Sequence, residues 1–237
     1  ASWSLRGLRS KEFFRSCVIG LAMAAAHIGF VVAFYLIGRK LGIWAPQEIK
    51  YSDTVSTALP WIYPLAISIY AATNEEFTFR LFAIPFLMRY TRSRALAILL
   101  PAFVWGFLHS IYPQQPGYVR GLEVGVIGIV AGWVMIRWGI LATLVWHYTV
   151  DALLIGLILL RSESLSFKLS GALVAGLAVL PLAIAGTSYL IRRRFEPVED
   201  QLNRAAPLEE KAPAPAPTET RAAGWEPMTR RSIGILL

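Results

Sequence analysis

Apolar residues run almost unbroken through several stretches of this chain, and polar residues collect between them. Residues 17–38, 139–160 and 168–191 contain almost no charged side chains. A helix needs roughly 20 predominantly apolar residues to cross the hydrocarbon core of a bilayer, so each of these reads as a spanning helix. Six spans are expected, over 17–38, 57–88, 95–111, 121–136, 139–160 and 168–191. Helices are the default because backbone polar groups in lipid must find their partners within the segment. The second stretch is too long for one perpendicular crossing and is expected to tilt, or to break near Pro64 or Pro85.

The expected fold class is therefore all-α, a polytopic transmembrane helix bundle. A cytoplasmic N-terminal segment covers 1–16 and the membrane domain covers 17–194. From 195 to 237 a cytoplasmic tail is expected to be disordered. Within that tail, residues 205–223 are a run of Pro, Ala and Glu that cannot bury a core. The chain starts at Ala1 and is expected to be a processed product or a piece of a longer protein.

Composition agrees with a membrane protein: the 237 residues are 56% hydrophobic and 16% charged. The single cysteine, Cys17, excludes an internal disulfide framework. The net charge of +8 does not point to nucleic acid, because the basic residues lie between apolar segments rather than along one soluble face. They act instead as topology signals. Clusters around Arg6 to Arg15, Arg89 to Arg94, at Arg137 and at Arg192 to Arg194 fall on one side of a six-span bundle. That side carries 11 Lys and Arg against 6 on the other. Both termini are thus expected in the cytoplasm, and the chain in a bacterial cytoplasmic membrane.

Ionisable groups deep in a span are costly, which makes each a candidate for function. Glu75, Glu76, Arg80, His109, His147 and Asp151 are such groups. Helical rise puts Glu75 about 21 Å from the level of Arg89, and His109 about 22 Å from that of Arg94. His147 and Asp151 lie about 15 and about 21 Å from the level of Arg137. Three helices thus place polar groups at similar depth. Glu76 and Arg80, four apart, are expected to pair on one face, and His147 to hydrogen-bond Asp151 in the same way. Glu75 is rotated away from Glu76, so the two carboxylates are not expected to share a role, and Glu75 is left to face His109. A Glu beside a His suits holding and deprotonating a water, while a second His can donate to the oxyanion formed at a peptide carbonyl.

These residues also form motifs. Glu75 to Arg80 reads EExxxR, Trp105 to His109 resembles FxxxH, and His147 to Asp151 reads Hxxx(N/D). In this order, on successive apolar helices, they resemble the CPBP family of CAAX proteases and bacteriocin-processing enzymes, also called the ABI family. The resemblance covers roughly 59–160. It implies an intramembrane endopeptidase, often classed as a metalloprotease, acting on peptide or protein substrates at the lipid bilayer. By the family pattern Glu75 and His109 activate the water, and His147 with Asp151 stabilises the oxyanion. Glu76 and Arg80 then have a structural, positioning part. Trp105 stands where Phe is usual and is expected to keep an aromatic wall. An ionised Asp151 cannot donate to an oxyanion, so it must be protonated, orient His147 or help bind a metal. Expected substrates are bacteriocin precursors, self-immunity targets or other membrane proteins ahead of prenylated CAAX ends.

Two His and a Glu could supply zinc with an open position, yet no spacing here is HExxH. Direct water activation is the expected route, with a divalent metal such as zinc as the alternative. No Walker loop or strand-linked GxGxxG indicates another cofactor. Rival functions are a proton- or ion-coupled transporter using the same groups as a relay, and a catalytically silent immunity or scaffold protein. An inverted repeat would favour the transporter, and none is evident. Of the remaining features, His27 is expected to be a satisfied packing histidine. Glu123 should face Arg120 at a helix start. Trp44, Trp61, Tyr112 and Trp138 suit the interfacial belt. Gly121, Gly125, Gly128 and Gly132 form GxxxG spacings expected to serve close helix packing.

Overall fold

The computed structural model describes residues 7–44 and 57–196. The expected disordered tail lies outside the described residues from 197 onward, as do residues 1–6 of the expected N-terminal segment. Apolar sequence becomes helix almost everywhere else. Helix α1 is Lys11–Gly38, α2 is Ile62–Glu75, and a π-helical stretch Glu76–Phe82 leads into α3, Ala83–Thr91. Then come α4, Arg94–Leu108, α5, Val119–Trp138, α6, Ile140–Leu160, α7, Leu165–Ala178, and α8, Leu180–Arg192. Two starts are capped: Ser10 accepts from the Phe13 amide at 3.0 Å and Ser93 from the Leu96 amide at 3.3 Å, each satisfying one orphan N–H of a first turn.

Among the described residues, four helical segments are long and apolar enough to cross a membrane: Lys11–Leu41, Arg94–Ile111, Val119–Trp138 and Ile140–Leu160. Helices α7 and α8 together make a fifth candidate, bent by 53°. The single helix expected over 168–191 is therefore two. The break at Val179 sits just ahead of Pro181, whose missing N–H opposes an unbroken helix but suits the first turn of a new one. The expected second segment is helical from Ile62 to Thr91, and neither proline breaks it. Pro64 and Pro85 each lie in a first turn, of α2 and α3, and the irregularity is the π stretch between them.

Large apolar side chains cover the outer surface, and a mainly apolar interior also holds ionisable groups. Leu36, Ile37, Tyr90, Leu169 and Ile191 are exposed, while Glu76, Arg80, Glu123 and His147 are buried. Burying charge while presenting aliphatic side chains outward is the pattern of a protein whose solvent is lipid. The chain is an integral membrane protein.

Helix α6 is the hub: it packs against α1, α2, α5, α7 and the π stretch. The expected packing role of the glycine stripe holds, and the stripe brings α5 onto α4. A Cβ added at Gly125 would lie 2.6 Å from the Phe103 ring, and one at Gly121 would lie 2.6 Å from that of Phe107. Between α5 and α6 the chain turns at Gly139 alone, whose φ of +87° an L side chain rarely adopts. That tight turn sets α6 beside α5.

Candidate active site

Four elements deliver the polar groups to one place. Glu75 closes α2, Glu76 and Arg80 lie in the π stretch, His109 starts the turn His109–Ile111 after α4, and His147 and Asp151 project from α6. Glu75 Oε2 stands 3.9 Å from His109 Nε2 and 3.8 Å from His147 Nε2. Asp151 Oδ2 stands 3.6 Å from the same His147 nitrogen. All four candidate residues read from the sequence thus share one neighbourhood. The side chains of Glu75 and Asp151 are about a quarter exposed, which opens the cluster on that side, while His147 is closed in behind them.

Hydrogen bonds fix the orientation of both rings. His109 Nδ1 lies 2.8 Å from the carbonyl oxygen of Trp105. A carbonyl only accepts, so Nδ1 carries the proton, and the neutral ring turns the lone pair of Nε2 toward Glu75. His147 Nδ1 donates to Glu76 Oε1 at 2.8 Å, leaving its Nε2 facing Glu75 and Asp151. Here the expectation needs correction. His147 does not hydrogen-bond Asp151, since 3.6 Å is beyond that range; its close partner is Glu76. The two adjacent carboxylates do converge on one ring, from its two nitrogens. Glu76 opens a π stretch, and such turns recur at functional sites.

Glu76 and Arg80 form the expected pair at 3.0 Å, both fully buried. The guanidinium of Arg80 also lies 3.9 Å from the centroid of the Trp105 ring, and the Trp105 indole N–H donates to Glu75 Oε2. Trp105 is therefore more than an aromatic wall. Nothing in an aromatic-for-aromatic motif position signals that the ring N–H is used.

Around this core, His27 packs on Trp146, ring centroids 5.6 Å apart, and Trp146 in turn neighbours His147 at 5.3 Å. Packing was expected, satisfaction was not borne out: His27 Nδ1 is buried and makes no hydrogen bond among the described residues. Glu123 pairs with Arg120 at 2.7 Å as expected, and also accepts from the Tyr35 hydroxyl of α1 at 2.8 Å. Tyr112 stacks on His109, with ring planes 11° apart.

A metal fits this arrangement poorly. Zinc ligands at about 2.0–2.2 Å in a tetrahedron lie roughly 3.4 Å from one another, closer than the 3.6–3.9 Å between the donors here. Among the described residues no group of three His, Cys, Asp or Glu has the geometry to hold a metal ion.

Residues 57–153 match the family model of the type II CAAX prenyl endopeptidases, Rce1-like. That span holds every motif residue from Glu75 to Asp151. The resemblance read from EExxxR, FxxxH and Hxxx(N/D) is borne out over nearly the stretch expected for it. Over 122 residues, 52% of this chain, the sequence is 23% identical to the sporulation-killing factor biosynthesis protein SkfC of Bacillus subtilis (strain 168). The match spans only 25% of that protein's length. No solved structure matches the chain.

Proposed function

We propose that this protein is an intramembrane endopeptidase that hydrolyses peptide bonds of membrane-associated or membrane-presented polypeptides with a water activated by Glu75 and His109. One observation supports this above the rest: Glu75 Oε2 faces His109 Nε2 at 3.9 Å, and with Nδ1 donating to Trp105 that nitrogen is an acceptor in the neutral ring. Two acceptors that far apart do not bond each other, but a single water can donate to both, with ordinary hydrogen bonds meeting at about a right angle. That water has its oxygen lone pairs free for attack. As it attacks a peptide carbonyl, Glu75 takes its proton, and the proton passes to the leaving amine.

His147 supplies the other half of the reaction. With Nδ1–H committed to Glu76, its Nε2 donates only when the ring carries both protons. Glu75, Glu76 and Asp151 surround it with the negative charge such an imidazolium needs. In that form Nε2–H is a charged donor beside the attacking water, positioned for the carbonyl oxygen as it becomes an oxyanion. Asp151 then serves as counter-charge to His147 rather than as an oxyanion donor. No step needs a metal, and the donor separations favour none. In a six-span arrangement the positive clusters noted above support an orientation with both termini in the cytoplasm.

The test is to reconstitute the purified chain in liposomes with apolar peptides in heavy-oxygen water. Cleaved peptides whose new carboxyl group carries the heavy label are expected. A folded protein that leaves every peptide intact contradicts the proposal.

A further inference from the structure

Trp105 occupies a singular place among the described residues: its ring touches the cationic partner of one carboxylate and hydrogen-bonds the other. The indole N–H donates to Glu75 Oε2, the very oxygen that faces His109 and His147. On the ring's face lies the guanidinium of Arg80, 3.9 Å from the centroid. Arg80 is itself held at 3.0 Å by Glu76, and all three of Trp105, Arg80 and Glu76 are buried. The ring also meets both histidines edge-on, with centroids 5.1 Å from His109 and 5.8 Å from His147.

We infer that Trp105 is a positioning residue for Glu75, fixing the carboxylate toward the histidines through its indole N–H while the Arg80 cation on its face strengthens that donor. The inference rests on the proposed hydrolytic role of Glu75. Glu75 sits at the junction of α2 and the π stretch with its side chain about a quarter exposed, so packing alone does not hold it. A hydrogen bond to an ionised acceptor is about twice as strong as one between neutral groups and adds direction. A cation against an indole face is attracted by the ring quadrupole and draws electron density away from the ring edge that carries the N–H. A phenylalanine, the usual residue at this motif position, would keep the wall and the guanidinium stacking but could not hold the carboxylate.

Trp105→Phe separates the two parts. Loss of the donor should lower kcat about 10- to 100-fold with KM and the melting temperature little changed, whereas a merely space-filling ring would leave kcat intact. In the Glu75→Gln background the same substitution should have no further effect. A second readout does not depend on cleavage: in the full chain labelled with nitrogen-15 tryptophan, the Trp105 indole N–H signal, identified by its loss in Trp105→Phe, should lie downfield and move upfield in Glu75→Ala. An indole signal indifferent to Glu75→Ala, or an unchanged kcat in Trp105→Phe, overturns the inference. If the wild-type chain cleaves nothing, the indole signal still decides whether Trp105 holds Glu75, and the protease proposal alone falls.

Discussion

His109 donates its Nδ1 proton to the backbone carbonyl of Trp105, one turn earlier, at 2.8 Å. That bond fixes which nitrogen looks into the site, and in the neutral ring makes His109 an acceptor opposite Glu75. Replacement of His109 by Gln offers a side chain that reaches the same region without a titrating nitrogen. Cleavage should fall roughly 100- to 10,000-fold in His109→Gln, measured as kcat/KM on any peptide the wild type cuts.

Glu76 carries two duties, as acceptor for His147 and as partner of Arg80. Removing one member of a buried ion pair leaves the other charge uncompensated. Glu76→Ala and Arg80→Ala should each destabilise the protein by about 3–5 kcal/mol, and the double change to apolar residues of similar size, Glu76→Leu with Arg80→Met, should regain much of that loss. Detergent-based thermal unfolding checks the stability. Activity should not return with the double change, because His147 remains without its acceptor.

Gly125 lets the backbone of α5 approach the Phe103 ring of α4. Gly125→Ala should cost roughly 1–3 kcal/mol through overpacking, since the new methyl group cannot fit until the ring moves. Gly176, where an added Cβ meets nothing within 4 Å, is the matched control. Gly176→Ala should leave the thermal midpoint unchanged or slightly raised, because Ala favours helix over Gly.

The spread of the donor atoms around Glu75 bears on zinc. Purified protein should contain zinc well below one ion per chain, and o-phenanthroline should leave peptide cleavage unaffected. Stoichiometric zinc with chelator-sensitive activity would show that the donors rearrange around a metal.

Much of the bundle was legible because lipid leaves so few options. Apolar runs of sufficient length become helices, and the glycine stripe of α5 had to mean close packing. Shared depth along three helices also brought Glu75, His109, His147 and Asp151 together before any coordinate was known. What spacing could not reveal was local winding. The π stretch Glu76–Phe82 has no signature in the spacing, and neither does the approach of α6 that makes Glu76 the partner of His147 in place of Asp151. Residues distant in sequence were equally hidden. Tyr35 on Glu123 and the Trp105 N–H on Glu75 depend on how helices cross, which no motif encodes. The kink at Val179 had a visible signal in Pro181, and its weight is clear only once the two flanking helices are seen.

The most direct measurement is the cleavage rate of one peptide substrate by the wild type beside Glu75→Ala, His109→Ala and His147→Ala, each checked for an unchanged thermal midpoint. Losses of roughly 100-fold or more are expected in all three, because each removes a group from around the same water. Full cleavage by any folded Glu75→Ala protein would contradict the claim that this carboxylate activates it.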